Sequence, residues 1–126
     1  MTTGLTLDAG ALIGLERGDE KVRALLRRAI DNGIHLAVPA GVIAQVWRGG
    51  PRQARVARLL GDRDVDLPVL DDLVARAVGL LCGRSGHADV VDVHVVLVAQ
   101  ERGDTVVTSD PGDIRYVDPR VPVIAV

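Results

Sequence analysis

The sequence predicts an α/β fold, specifically a small three-layer α/β/α domain with a mainly parallel central sheet. Short apolar runs alternate along the chain with stretches whose apolar residues recur at helical spacing, a pattern typical of a parallel sheet covered by helices. The length of 126 residues and the lack of an internal repeat or linker favour a single domain over residues 1–126. Because 48% of the residues are apolar, the chain can build an aliphatic core.

Five short apolar segments predict the strands, in chain order Gly4–Leu7, Ile34–Val38, Val65–Val69, Val106–Val107 and Val121–Val126. The first ends at Asp8, the third is interrupted by Pro68, and the fourth ends at Ser109 and Asp110. Acidic residues therefore follow two of the predicted strands directly.

Three helices are predicted in the first half of the chain. Asp19 caps the first and Gly33 ends it, and its apolar residues follow helical spacing: Val22, Leu25, Leu26, Ala29 and Ile30. A second helix begins at Pro39 and continues to about Trp47. A third ends at Leu60, after the helix breakers Gly49, Gly50 and Pro51.

Two further helices are predicted in the second half. Asp71 or Asp72 caps the first, whose apolar face comprises Leu73, Val74, Ala77, Val78 and Leu81. Residues Cys82–Gly86 are predicted to form a loop. The helix from Asp89 to Arg102 is apolar nearly all round, which indicates burial, and Gly103 closes it.

Composition and motifs argue against several classes of protein. The net charge of −2 provides no general attraction for nucleic acid, and 2% aromatic residues disfavour recognition by base stacking. The single cysteine, Cys82, excludes a disulfide framework within one chain. Phosphate-binding and dinucleotide-binding glycine motifs are both missing. No signal peptide or membrane span is recognisable, so a cytoplasmic protein is expected.

Five aspartates are predicted to approach one edge of the sheet. Asp8 and Asp110 follow predicted strands, and ligands of open α/β sheets bind outside the carboxyl ends of strands. Asp89 and Asp92 lie in the first turn of the buried helix, three positions apart and thus on one face. Asp113 lies three residues beyond Asp110, in the same loop or the first turn after it.

Such a cluster is unfavourable unless protons or cations neutralise it. Oxygen-rich ligation suits Mg²⁺ or Mn²⁺, and two such ions can activate water and stabilise the leaving oxygen in phosphodiester hydrolysis. Each aspartate also has a structural interpretation, because Asp8 and Asp89 can cap helices and Asp110 can form a turn before Pro111 and Gly112. The residues alone leave both interpretations open.

Three segments, LDAGALIGL, ADVVDVHVVLVAQERGD and VVTSDPGDI, occur in an order that resembles a PIN-domain ribonuclease. The resemblance is closest to VapC-type toxins of bacterial toxin–antitoxin pairs and covers nearly the whole chain. It implies a PIN-like fold, an acidic site for Mg²⁺ or Mn²⁺, an RNA substrate, a homodimer and a cognate antitoxin protein.

The resemblance also implies roles for individual residues. Asp8, Asp92 and Asp110 correspond to the metal ligands, and Asp89 and Asp113 correspond to auxiliary acidic positions. The hydroxyl of Thr108 matches a position that orients a neighbouring carboxylate or water.

One position departs from the family pattern. A glutamate is usual on the helix after the second strand, where this chain has Gln45 within VIAQVWRGG. Glutamine keeps a carbonyl oxygen but loses a charge and cannot act as a base. Two hypotheses follow: a ribonuclease that relies on its aspartates, or a catalytically impaired domain that only binds protein or RNA.

Basic and imidazole side chains add two further predictions. If the helical stretch were continuous, a basic stripe able to hold RNA phosphates would form from Arg48, Arg52, Arg55 and Arg58. A solvated face paired with residues such as Asp62 is the alternative. His87 is close to Asp89 in sequence, which would allow it to titrate near the acidic site. His94 lies about 200° round the helix from Asp92 and is therefore not expected to be a co-ligand.

Overall fold

The computed structural model describes residues 3–126, and its centre is a five-stranded sheet in which every adjacent pair of strands is parallel. The strands are β1 (Leu5–Leu7), β2 (Leu36–Ala37), β3 (Val65–Asp66), β4 (Thr105–Thr108) and β5 (Val123–Ala125). Their order across the sheet is β3-β2-β1-β4-β5. All five predicted strands are present, although most are shorter than the apolar runs that predict them.

Seven α-helices and one 3₁₀ turn connect the strands within residues 3–126. The helices are α1 (Ala9–Glu16), α2 (Glu20–Asp31), α3 (Ala40–Val46), α4 (Ala54–Leu60), α5 (Asp72–Ser85), α6 (Val90–Arg102) and α7 (Pro111–Val117), and the 3₁₀ turn is Pro51–Gln53. None of these helices is long and apolar enough to cross a membrane.

The helices form two groups on opposite faces of the sheet. Helix α1 packs against α2, α3 and α4, while α5, α6 and α7 pack against one another. Because the strand order runs outwards from β1 in both directions, right-handed crossovers place these groups on different faces. The three-layer α/β/α architecture predicted from the sequence is therefore confirmed.

The core is aliphatic and centres on β1, β4 and α6. All three residues of β1 are buried, and α6 buries a run of four consecutive residues, Val93, His94, Val95 and Val96. Burial of each large aliphatic side chain contributes about 1.5–3 kcal/mol. The burial of α6 predicted from the sequence is thus confirmed. Because the body of the helix is buried, its first turn is held in a fixed position at the edge of the sheet.

Three local predictions need correction. Residues 82–85 continue α5 instead of forming a loop, because the left-handed Gly86 ends the helix four residues later than expected. Leu73 does not belong to the buried face of α5, since it is 78% exposed. Helices α1 and α7, which the sequence analysis left unassigned, follow β1 and β4 directly and are capped by Asp8 and Asp110.

Candidate metal centre

The carboxyl ends of β1 and β4 meet at the point where the strand order of the sheet reverses. Leu7 is in register with Val107 in the parallel pairing of these two strands. Asp8 follows β1, and Ser109 and Asp110 follow β4. Such a switch point opens a crevice between diverging connections and is the usual ligand site of open α/β sheets.

Asp8 is a buried carboxylate, only 8% exposed, at the amino end of α1. Its Oδ1 accepts a hydrogen bond of 3.1 Å from the backbone N–H of Ala11. Asp8 therefore caps the helix, which is the structural role that the sequence allowed for it. Burial raises the pKa of Asp8, and the charge of Asp92 raises it further, although hydrogen bonds from Thr108 and Ala11 act in the opposite direction. Capping therefore leaves the charge of Asp8 incompletely compensated.

Thr108 links the ends of β1 and β4. Its side chain is fully buried, and its Oγ1 accepts a hydrogen bond of 2.9 Å from the backbone N–H of Asp110, while the hydroxyl lies close enough to Asp8 to lower the pKa of that carboxyl. A hydroxyl can donate one hydrogen bond and accept others, so both contacts are compatible. Thr108 thus has the geometry to orient a neighbouring carboxylate.

A glycine allows the two strand ends to approach. A Cβ atom at Gly10 would lie 2.0 Å from Oγ of Ser109 and 2.7 Å from its Cβ. Any side chain at Gly10 would force apart the first turn of α1 and the loop after β4. The sequence analysis missed this pair, because only the folded chain shows that two residues 99 positions apart touch.

Asp92, Asp113 and His87 form the compact part of the cluster. The distance between Nε2 of His87 and Oδ2 of Asp92 is 3.0 Å, and one ligand atom from each of the three residues lies within 4.8 Å of the others. Asp92 is in the first turn of α6, Asp113 is in the first turn of α7, and His87 is in the connection from α5 to α6. The first turns of two helices and one interhelical connection thus converge.

Asp110 joins the cluster through Asp113. Oδ1 of Asp110 accepts a hydrogen bond of 3.4 Å from the backbone N–H of Asp113 and caps α7. The pKa of Asp113 is raised, and the largest cause is its side-chain interaction with Asp110. Desolvation and the charges of Asp110 and Asp92 raise it further, whereas His87 lowers it. Asp110 therefore disfavours the charged form of its neighbour Asp113.

Among residues 3–126, no arginine or lysine forms an ion pair with these groups. Within residues 3–126, no Arg or Lys nitrogen lies within 4.0 Å of a carboxylate oxygen of Asp8, Asp92, Asp110 or Asp113. Carboxylates that raise one another's pKa bind a divalent cation favourably, because its charge replaces mutual repulsion by attraction. The carboxylate oxygens of the four aspartates therefore fit a Mg²⁺ or Mn²⁺ ion.

Solved structures with the same fold provide an independent comparison. FitAB bound to the IR36 DNA fragment is 19% identical with a TM-score of 0.64, and the match covers 96% of this chain and 94% of that one. FitAcB from Neisseria gonorrhoeae is 20% identical with a TM-score of 0.62, covering 95% and 96%. PAE2754 from Pyrobaculum aerophilum is 16% identical with a TM-score of 0.65, covering 96% and 83%. The chain has a PIN-like fold.

The likeness confirms, at the level of the fold, the PIN-domain resemblance inferred from three sequence segments. No protein-family model and no curated protein matches the sequence. Roles of individual residues in this PIN-like chain therefore depend on the geometry of its own site.

Asp89 and Gln45 differ from the four clustered aspartates. Asp89 is exposed, and its Oδ1 accepts hydrogen bonds from the backbone N–H groups of Val91 and Asp92, at 2.9 and 3.1 Å, which makes it the cap of α6. Gln45 is exposed on α3, one turn beyond Gly41, and a Cβ at Gly41 would lie 3.2 Å from Val91. Asp89 thus stabilises the turn that carries Asp92, and Gln45 lies on the helix that packs beside it.

The predicted arginine stripe is divided among separate segments of the PIN-like fold. Arg48 follows α3, where its Nη1 donates to the carbonyl of Trp47, and Arg52 is exposed in the 3₁₀ turn. Arg55 donates a hydrogen bond of 3.3 Å to the carbonyl of Glu16. The interruption at residues 49–51 expected from the sequence is present, so these arginines do not share one continuous helix.

Proposed function

We propose that this chain is a metal-dependent endoribonuclease that acts as the toxin of a toxin–antitoxin pair. One observation carries the proposal: Asp8, Asp92, Asp110 and Asp113 converge at the switch point of a PIN-like sheet without an Arg or Lys partner within residues 3–126. Helix capping accounts for Asp8 and Asp110 but not for the placement of Asp92 and Asp113 beside them, whereas a cation site would account for all four.

Asp8, Asp92 and Asp110 are proposed to hold Mg²⁺ or Mn²⁺, and Asp113, whose backbone N–H donates to Oδ1 of Asp110, adds a further carboxylate that can reach the ion. When bound, such ions activate water for attack on a phosphodiester and stabilise the leaving oxygen. Thr108 keeps the carboxylate of Asp8 and the turn before Asp110 in fixed relation. Because the site lies at the rim of the sheet, an extended polynucleotide can reach it.

The proposed substrate is RNA, and Arg48, Arg52 and Arg55 are proposed to contact its phosphates. Arg48 and Arg52 are exposed in the segment between α3 and α4, so their guanidinium groups are accessible. Arg55 is also exposed, although its Nη1 is held by the carbonyl of Glu16. Phosphate contacts of this kind position a strand without reading its sequence.

The proposed partners are a cognate antitoxin protein and a second copy of this chain. FitAB, which has the same fold, was solved bound to a DNA fragment. We therefore expect the antitoxin to be a DNA-binding protein that blocks the acidic rim. The homodimer follows from the resemblance to VapC-type toxins.

The test is cleavage of a mixed RNA panel by purified protein with Mg²⁺, Mn²⁺ or EDTA. Cleavage should depend on the metal and fall by at least about 100-fold in Asp92→Asn, because electrostatic contributions of this size are typical of groups at the reacting centre. Asp71→Asn is the matched control: it removes one exposed charge while asparagine keeps the cap of α5. Equal cleavage by both variants would mean that cleavage does not depend on the acidic site of this chain, which would overturn the proposal.

A second candidate function, a domain that only binds protein or RNA, is favoured by Gln45. Its carboxamide provides no charge at the position where the family usually has glutamate. In that case Mn²⁺ should not stabilise the fold, and no RNA should be cleaved. Cleavage that is lost in Asp92→Asn would exclude it.

A further inference from the structure

We infer that His87 provides an imidazole ligand beside Asp92 and Asp113, which makes this site prefer Mn²⁺ to Mg²⁺. The inference rests on the proposed metal site but adds a donor that the aspartate set does not include. His87 lies outside the three sequence segments that contain the aspartates. Its Nε2 nevertheless lies 3.0 Å from Oδ2 of Asp92.

The atoms already have the spacing of metal ligands. Nε2 of His87 and Oδ2 of Asp92 are 3.0 Å apart, and an oxygen of Asp113 lies within 4.8 Å of both. Adjacent ligands of an octahedral ion with bonds of about 2.1 Å lie about 3 Å apart. An ion can therefore replace the proton between His87 and Asp92 with little movement of either side chain.

The imidazole of His87 is held in place from several sides. Gly86 ends α5 in the left-handed conformation, and the backbone N–H of His87 donates a hydrogen bond of 3.2 Å to Oγ of Ser85. The ring packs against Tyr116 with centroids 5.5 Å apart and an interplanar angle of 50°, and its side chain is only 17% exposed. A ligand fixed by its surroundings loses little entropy when it binds an ion.

The donor chemistry predicts the preference for Mn²⁺. Mg²⁺ requires hard oxygen ligands and dehydrates reluctantly, whereas first-row transition ions accept imidazole nitrogen alongside carboxylates. The two carboxylates keep the site suitable for both ions. The imidazole therefore contributes mainly to the affinity for Mn²⁺.

Two alternatives give different results. His87 could instead donate a hydrogen bond that orients Asp92 without touching the ion, and its loss would then lower the affinities for Mg²⁺ and Mn²⁺ in parallel. As an imidazolium paired with Asp92, it would compete with the ion, and its replacement would tighten binding. Neither arrangement places a nitrogen on Mn²⁺.

The experiment measures Mg²⁺ and Mn²⁺ binding by calorimetry and detects nitrogen ligands of Mn²⁺ by pulsed electron paramagnetic resonance. The full chain is compared with His87→Gln and with His35→Ala, a control that removes an exposed histidine just before β2. Circular dichroism of the metal-free variants verifies that they are folded.

Directly bound ¹⁴N should be seen in the unmodified chain and His35→Ala and be lost in His87→Gln, together with a fall in Mn²⁺ affinity of about tenfold or more. The affinity for Mg²⁺ should change by a much smaller factor. Tight Mn²⁺ binding without a nitrogen signal, or equal losses for both ions, would overturn the role of His87 but leave the proposed nuclease intact. Failure of the unmodified chain to bind either ion would overturn both.

Discussion

Two buried aspartates of this protein lie at opposite ends of adjacent strands and have different surroundings. Asp104 precedes β4 and is 4% exposed; its Oδ2 accepts hydrogen bonds of 2.9 Å from Oγ1 of Thr6 and from Nε of Arg102. Asp8 follows β1 and is 8% exposed, but its charged neighbour is Asp92. One buried charge is matched by a cation of the chain, and the other is placed beside a second carboxylate.

The difference is the one we expect between a structural aspartate and one at the proposed metal site. Arg102 also pairs with Asp66 at 3.0 Å, so the network around Asp104 joins β3 to the end of α6 and gives the buried carboxylate a cationic partner. Burial is the largest cause of the raised pKa of Asp8, so the fold tolerates an unfavourable charge at that position. Proteins retain such unfavourable groups at binding and catalytic sites.

The largest expected effect is on the Asp104 network. Arg102→Met should reduce the free energy of unfolding by about 3 kcal/mol, because it leaves the carboxylate of Asp104 buried without a cation. Urea denaturation measures the change. The control Arg76→Met breaks an exposed ion pair with Asp72 and should change stability by less than about 0.5 kcal/mol. Equal effects of the two substitutions would remove the distinction between the two buried aspartates.

The neutralisation of Asp8 should act in the opposite direction. In EDTA, Asp8→Asn is expected to stabilise the protein by about 1 kcal/mol, since asparagine keeps the cap of α1 and removes a charge that burial disfavours. Asp104→Asn should destabilise it by a similar amount, because the carboxylate that Arg102 binds is lost. Thermal unfolding of both variants shows whether each substitution raises or lowers the stability. Destabilisation by both would mean that Asp8 is an ordinary cap.

A pH series sharpens this contrast. The pKa of Asp8 is raised by burial, so the folded state holds the proton more tightly than the unfolded state does. Stability is therefore lost as the pH rises from the unfolded value of 3.8 through the folded pKa. In EDTA, the advantage of Asp8→Asn over the unmodified chain should grow across that window and be small below it. A constant difference at all pH values would contradict this assignment.

The smallest expected effect concerns Gln45. Gln45→Glu restores the charge that is usual in PIN-domain families, at an exposed position on α3. A single exposed charge contributes about 0.2–1 kcal/mol, so Mn²⁺ affinity should rise by up to roughly fivefold. Calorimetry with Mn²⁺ detects a change of this size. An unchanged affinity would mean that Gln45 does not contribute to the cation site.

Much of the fold could be predicted from local patterns in the sequence. The parallel sheet, the caps Asp19 and Asp71, and the buried helix closed by Gly103 follow from periodicity and turn chemistry, which depend on neighbours in the chain. Helices α1 and α7 are not recognisable from the sequence, because each follows a strand directly without an intervening loop. Helices α3 and α4 are equally short but are predicted, so the missing loop and not the length explains the difference.

The site was only partly predictable. Topology alone brings Asp8 and Asp110 to one edge, because the carboxyl ends of parallel strands meet there. The contact between His87 and Asp92 and the close approach of Gly10 to Ser109 depend on how loops pack, which periodicity does not encode. Asp89 has the same residue type and nearly the same position as Asp92, yet its carboxylate caps α6.

The most direct test of the central claim is thermal unfolding of the unmodified chain and Asp92→Asn, each with EDTA and with a series of Mn²⁺ concentrations. A metal site at the carboxyl edge predicts that Mn²⁺ stabilises the unmodified chain, by about 2.7 kcal/mol when its free concentration reaches 100 times the dissociation constant. Asp92→Asn should remain folded and lose most of that gain. An unchanged melting temperature of the unmodified chain, or equal stabilisation of both proteins, would contradict the account.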